Sequence, residues 1–319
     1  MKYRATILYL IGVIALAGVY FYDIHQERIA SESERKAKLL FRIGADQIET
    51  LSIIRGKHKI VLQKTGDGVK PGWKITEPVK TAAQTFAVEE LTEKLAGLKY
   101  TRVIAESPEE VGQYGLDSPI LILSYRAGKL GGKLYVGSQS PTGDGIYVRI
   151  DGQKKVYLIE TYDKDAIDKT LFQLRLKRLF TLNLDDVNQF TIVRDSNTWP
   201  LIKKGEKWFF KDDPRFPVDP LKVNSLLIRF TRIEASSFEE EIAQDLHPYG
   251  LDQPRASIML SNGKKRETLL FGNRDRKHST RIYAKLQDRP TVVTVSKWLI
   301  EDLPKKRKDL KKKAGERKE

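Results

Sequence analysis

The chain writes one six-residue phrase twice, YGLDSP at 114–119 and YGLDQP at 249–254, 135 residues apart. Other positions keep the same offset. Trp73 matches Trp208, and Val88, Leu91, Leu95 and Leu98 match Val223, Leu226, Phe230 and Ile233; Gly137 matches Gly272. One residue slips before Tyr147 meets Tyr283 and Val156 meets Val292, while upstream LSIIR (51–55) meets FTIVR (190–194) at an offset of 139. Matched segments separated by small length changes are the mark of a duplicated fold. Each copy is of ordinary domain size, and the 319 residues suffice for two cores.

Each copy reads in the same order. Two alternating strands open it, IETLSIIR and KIVLQK in the first and FTIVR and WPLIKK in the second; a third carries the tryptophan, WKI or WFF. The apolar spacing 0, 3, 7, 10 from Val88 and from Val223 is one stripe of a helix. Asp219-Pro220 supplies an N-cap and a first-turn proline to the second of these helices. A further short helix is expected to start at a capping box, Ser107 to Glu110, and to stop at Gly115. Four strands follow (ILILSYR, KLYVG, IYVRI, KVYLIE; then ASIMLS, ETLLFG, RIYAKL, TVVTVS), split by turn residues such as Gly131-Gly132, Asp151-Gly152 and Asn262-Gly263. A closing helix near 161–170 and 296–303 ends each copy. The expected fold class is α+β: two tandem repeats, each a largely antiparallel sheet with one long packed helix, after a single N-terminal transmembrane helix.

Within the repeated phrase, Gly115 and Gly250 fit the left-handed residue that ends a helix. Leu116 and Leu251 then fold back onto the core, Asp117 and Asp252 bond nearby backbone N–H groups, and Pro119 and Pro254 precede a strand. Tyr114 and Tyr249 bury a ring and keep a polar tip. The functional alternative for these ten residues is a partner-docking knuckle on the surface.

The tryptophan strand, the helix, YGLDxP, the LYVG or LLFG strand, the Ile-Tyr strand and the basic connector LRLKRLF (174–180) together resemble a bacterial family, domain of unknown function 4340, over residues 46–304. The resemblance implies no catalytic residues. It implies one N-terminal membrane helix and association with ABC-type transport systems similar to those of gliding motility, hence an auxiliary extracytoplasmic subunit.

The anchor is also read from the residues. Ala5 to Tyr22 is 18 residues without a charge, and such a helix rises about 27 Å. Lys2 and Arg4 precede it, while Asp23–Lys38 balances four acids against four bases. The positive-inside bias keeps the N-terminus cytoplasmic and places the remainder outside an inner or plasma membrane. A cleaved signal peptide ending at Ala15-Leu16-Ala17 and a buried core helix are the competing readings. The expected domains are 1–4 cytoplasmic, 5–22 anchor, 23–45 charged stalk, 46–180 first repeat with connector, 181–304 second repeat and 305–319 basic disordered tail.

The net charge of +15 is concentrated in the flanks: residues 1–22 carry +2 and 305–319 carry +6, leaving +7 over the other 282. No specific nucleic-acid partner is therefore expected; the tail suits solvent, anionic lipid or another polyanion. With no cysteine, the chain has no disulfide, thiolate metal site or thiol nucleophile. His25, His58, His247 and His278 form no metal-ligand pair, and no G-x-S-x-G, Walker A or dinucleotide glycine motif occurs. DKDAID (163–168) lacks the glycine and late glutamate of a calcium loop. The loop GSQSPTGDG (137–145) offers backbone N–H groups to an anion, though its counterpart GNRDRKHST is basic. Trp73 and Trp208 read as core, with sugar stacking behind. No cofactor, metal or catalytic residue is expected. The leading expectation is a binding or scaffold protein partnered with an ABC permease and ATPase; the alternative is a cell-envelope hydrolase with a carboxylate site between the repeats.

Overall fold

The computed structural model describes residues 33–66 and 72–312, with isolated positions between 17 and 29. The anchor expected over 5–22 lies outside the described residues except for positions 17, 18 and 20–22, which are helical; among the described residues no helix is long and apolar enough to cross a membrane. Residues 1–176 and 177–319 form two compact units.

In unit 1, β1 (Thr50–Arg55) and β2 (His58–Thr65) pair across a two-residue turn. They are followed by β3 (Gly72–Glu77), β4 (Thr81–Ala82), helix α1 (Thr85–Ala96) and β5 (Arg102–Ala105). A meander β6 (Leu121–Ala127), β7 (Leu130–Gln139), β8 (Ile146–Ile150) and β9 (Val156–Ile159) completes the sheet, and α2 (Thr161–Ile167) and α3 (Leu171–Leu174) close the unit. The nine strands lie in the order β4-β3-β2-β1-β6-β7-β8-β9-β5, every pairing antiparallel. Unit 2 repeats this with β10 (Gln189–Arg194), β11 (Asn197–Lys204), β12 (Lys207–Phe210), α4 (Pro220–Thr231) and β13 (Ser237–Glu240). Its meander is β14 (Ala256–Ser261), β15 (Arg266–Arg274), β16 (Arg281–Leu286) and β17 (Val292–Ser296), followed by α5 (Trp298–Glu301). The order β12-β11-β10-β14-β15-β16-β17-β13 is that of unit 1 without β4.

The two-residue period of the strands and the stripe of the helix meet in one core per unit. Leu51, Ile53, Leu62, Leu123 and Val136 are buried with Val88, Leu91 and Leu95 in unit 1; Phe190, Ile192, Leu201, Ile258 and Phe271 are buried with Val223, Leu226 and Phe230 in unit 2. Trp73 and Trp208 are core residues, and the Trp208 indole donates to Asn224 Oδ1 on α4 at 3.1 Å. Asp219 caps α4 as expected, accepting from Leu221 N at 3.0 Å, whereas Gln84 provides α1 with no such bond. Asp219→Ala should therefore lower unit 2 stability by about 1 kcal/mol and Gln84→Asp raise unit 1 by a similar amount. Hydrogen exchange of the two helices checks both, and equal protection in all three proteins refutes the assignment.

Several expectations are corrected. No capping box forms at Ser107: residues 106–111 are irregular, and only a three-residue 3₁₀ turn, Gly112–Tyr114, precedes Gly115. The edge strands β5 and β13 were not expected; at four residues each, with half-exposed faces, they carry too little periodicity to read. The closing helix of the first copy is two pieces, α2 and α3, and that of the second is only the four residues of α5.

The expected stalk, connector and tail are redrawn together. Leu40 N–H donates to Leu98 O (2.9 Å) and Tyr100 N–H to Lys38 O (3.1 Å); in unit 2, Leu179 N–H donates to Ile233 O (3.0 Å) and Ala235 N–H to Lys177 O (2.8 Å). Residues 38–41 of the stalk thus match 177–180 of the connector at the same 139-residue offset, and Phe41 and Phe180 are both buried. At the other end, Gln84 N–H donates to Leu174 O (2.8 Å) and Leu176 N–H to Ala82 O (3.0 Å). The matching bonds are Asp219 N–H to Leu310 O (2.9 Å) and Lys312 N–H to Pro217 O (3.0 Å). Residues 305–312 of the tail are therefore docked, because Leu310, the one large apolar side chain among basic ones, fills the place that Leu174 fills in unit 1. The connector is not a linker: LRL closes unit 1 and KRLF opens unit 2.

Candidate functional site

The two YGLD phrases form the same object. Gly115 (φ +67°) and Gly250 (φ +63°) are left-handed, as the cap required. Gly115 N–H donates to Gly112 O (2.8 Å) and Leu116 N–H to Val111 O (3.2 Å); Gly250 N–H donates to His247 O (3.0 Å) and Leu251 N–H to Leu246 O (3.1 Å). This paired i→i−3 and i→i−5 pattern is a Schellman ending on a 3₁₀ turn. Leu116 and Leu251 are 3% and 2% exposed.

What holds each knuckle on the sheet is a glycine whose role the sequence did not reveal. β7 and β8 shift register between Val136 and Gln139, and β15 and β16 between Phe271 and Arg274. Gly137 and Gly272 sit in these bulges. A Cβ on either would lie 2.1 Å from the carbonyl oxygen of Tyr114 or Tyr249 and about 3 Å from the side chain of Leu116 or Leu251. The knuckle backbone therefore rests on the bulge at glycine distance. Tyr114 meets Tyr147, and Tyr249 meets Tyr283, edge to face at 5.0 Å between centroids.

The remaining predicted residues are peripheral. Asp117 is exposed and accepts from the next backbone N–H, Ser118, at 2.8 Å. Asp252 accepts from His247 Nδ1 at 3.2 Å, and that bond and the local backbone N–H groups hold its carboxyl below the usual range. Pro119 and Pro254 stand two residues ahead of β6 and β14.

Among the described residues, a polar network surrounds the second knuckle and not the first. Tyr249 Oη donates to Glu240 Oε2 at 2.8 Å; the carboxylate, aided by burial, pushes its pKa up to about 12. Ala105 stands where Glu240 stands, so Tyr114 has no such partner. Tyr283 Oη (3.2 Å), Lys277 N–H (2.9 Å) and His278 Nδ1 (2.9 Å) converge on Asp275. Burial opposes ionisation of Asp275, but these bonds outweigh it and keep the carboxyl below its ordinary range. The matching loop of unit 1 is closed by its own acid. Asp144 accepts from Ser140 Oγ (2.5 Å) and Thr142 Oγ1 (2.7 Å), bonds that lower its pKa. The anion-cradle reading of GSQSPTGDG rested on backbone N–H groups; two of them are spent inside the loop, Ser140 N–H on Gly145 O (2.9 Å) and Gly143 N–H on Ser140 O (2.9 Å), and the resident Asp144 carboxylate takes the hydroxyl donors.

The acids of DKDAID also have resident partners: Asp163 pairs with Lys94 at 2.5 Å, and Asp168 with Lys164 at 2.8 Å and with Arg55. Among the described residues, no group of three or more His, Asp or Glu side chains is placed to hold a metal.

Comparison with curated proteins finds no match. A family profile described as Domain of unknown function (DUF4340) matches residues 73–215 and again 208–315. The two matches begin at Trp73 and Trp208, the tryptophan strands that are equivalent in the two units. Together they cover well over half the chain and take in both knuckles, both bulge glycines and both long helices: the chain belongs to the DUF4340 family, in two tandem copies.

Proposed function

We propose that the chain is a membrane-anchored extracytoplasmic binding or scaffold protein, an auxiliary subunit of an ABC-type transport complex, with no chemistry of its own. The observation that carries this reading is what the acids around the knuckles do. Asp144, Asp252 and Asp275 are each held in the charged form by donors from their own loop, and Glu240 holds the Tyr249 hydroxyl. A general acid or base needs a proton that leaves near the working pH. These groups instead fix loop shape, which suits a surface that must keep its form for a partner. Two equivalent knuckles supply two such surfaces, and an anchor at the N-terminus raises the effective concentration of a membrane partner, so each contact needs little affinity. The partner class is a permease with its ATPase, and the setting an inner or plasma membrane with the bulk of the chain outside.

Affinity purification from native membranes in mild detergent, after in-cell crosslinking, tests the reading. It should recover a permease and an ATPase, with crosslinks from lysines of the two units. Replacing Ala5–Tyr22 by a cleavable signal should lower that recovery at least tenfold while both units stay folded. A clean preparation without transporter subunits, or full recovery by the released form, overturns the proposal.

A further inference from the structure

Unit 1 carries a cavity of about 750 Å³ at the β6–β7 hairpin, roofed by residues 37–42. Its walls are aromatic: Phe41 meets Tyr125 edge to face at 5.3 Å, and Tyr100 meets Tyr157 at 5.0 Å. Its charged lining is Arg42, Arg126 and Lys133 against one acid, Asp151, which already accepts from Tyr135 Oη at 3.0 Å. Neither guanidinium has a carboxylate partner among the described residues.

The duplication shows what this space accommodates. In unit 2 the equivalent place is filled by the Glu267 side chain, 8% exposed. Its carboxylate accepts from Thr181 N–H (2.8 Å), Thr181 Oγ1 (2.7 Å) and Leu182 N–H (3.1 Å), with Lys265 Nζ at 3.2 Å and Arg289 at 4.0 Å. The register sets Glu267 opposite Leu260 in unit 2 and Gly132 opposite Tyr125 in unit 1. The 139-residue offset sets Thr181 and Leu182 against Arg42 and Ile43. The main-chain N–H groups of Arg42 and Ile43 have no acceptor among the described residues. Unit 1 thus keeps the two main-chain donors of a carboxylate socket, has Arg42 where unit 2 has Thr181, places Arg126 and Lys133 nearby in exchange for Lys265 and Arg289, and lacks the carboxylate.

We propose that the unit 1 cavity binds a small organic carboxylate from solution. The ligand's carboxylate takes the role of the Glu267 carboxylate, on the N–H groups of residues 42 and 43; the Tyr125 ring, 2.5 Å from where a Cβ on Gly132 would stand, covers the root of that side-chain position, and the ligand's apolar or planar body lies beside this ring, toward Tyr100 and Tyr157. The volume lies within the range of small-molecule pockets, and aromatic walls with few placed polar groups are their usual lining. Burial raises the Tyr125 and Tyr157 hydroxyls above the ordinary tyrosine range; Tyr157 Oη already donates to Gln153 Oε1 at 2.8 Å, which leaves the Tyr125 hydroxyl as the neutral donor beside an anion.

Calorimetric titration of the full chain in detergent tests this, with benzoate as the probe, benzamide as its uncharged isostere and inorganic phosphate as a plain anion. Benzoate should bind with a Kd of about 1 mM or tighter, and at least tenfold more tightly than benzamide or phosphate. The double variant Tyr125→Leu with Gly132→Glu copies the unit 2 pair into unit 1 and should abolish binding. Should that variant not fold, Arg126→Ser with Lys133→Ser alters one exposed and one half-buried cation, leaves the core untouched, and should weaken benzoate at least fivefold. No binding of benzoate, equal binding of benzamide, tighter binding of phosphate, or binding that survives in whichever variant folds each overturns the proposal. The site is independent of the scaffold reading, since neither outcome depends on a transport partner.

Discussion

Gly272→Ala should destabilise unit 2 by about 3 kcal/mol, and Gly137→Ala should do the same to unit 1. The added methyl would stand 2.1 Å from a backbone oxygen, well inside van der Waals contact, and the obstacle is not a side chain that can swing away. Neither side has room to yield. The Tyr249 carbonyl belongs to a turn pinned by the Gly250 and Leu251 N–H bonds, and β15 is paired on both edges, with β14 and β16. The knuckle must lift, exposing Leu251 and parting Tyr249 from Tyr283. Gly152→Ala is the control, because Gly152 has a positive φ but nothing within 4 Å of a Cβ; it should cost only about 1 kcal/mol. Hydrogen exchange resolved by segment reads each unit separately, which a single melting curve over two units does not. Native-like protection of β14 and β15 in Gly272→Ala would sink the claim that close approach holds the knuckle.

Glu267→Ala should cost unit 2 about 3 kcal/mol, since it leaves the buried Leu182 N–H, and the part-buried Thr181 N–H and hydroxyl, without their acceptor. Glu267→Gln keeps the shape but turns an amide donor towards donors, so it should recover little. The effect has a signed pH dependence. Burial raises the Glu267 pKa, but bonds from Thr181, Leu182 and Lys265 more than offset this, and the folded value lies below the ordinary 4.5. A carboxyl depressed on folding gives stability that is complete above its unfolded pKa and is lost as pH falls through the folded one. The gap between wild type and Glu267→Gln should therefore be widest at neutral pH and close on acidification below about 4.5. A gap that stays constant with pH would assign the loss to packing rather than to the charge.

Much of the fold was legible because it is written twice. The offset paired Val88 with Val223 and Trp73 with Trp208, and each pair proved to be core. The left-handed glycines and the Asp219 cap were legible for another reason: φ and a missing donor are local properties that one residue type satisfies best. What was missed depends on distance. Gly137 and Gly272 aligned from the start, yet nothing local says that a carbonyl 23 residues upstream leans on each. The ends of the repeat were missed because their matches are thin. LFQLRL and RKDLKK share one apolar position, Leu174 with Leu310, and charge dominated the reading of the tail. The carboxylate socket was invisible for a similar reason, because a glycine facing a glutamate in an alignment looks like divergence until the two cores are laid on each other.

The connector has a consequence for how the two units can be separated. Domain boundaries usually fall in loose chain, where a protease can seize several residues or recombination can insert new ones at no structural cost. Here Leu176 still bonds Ala82 in one unit, while Lys177 accepts from Ala235 in the next. The join has no slack, so a cut or an insertion there wounds a fold instead of a tether. A fragment divided after residue 180 would carry off the first stitch of unit 2 and leave the core that holds Phe210 and Phe230 without Phe180.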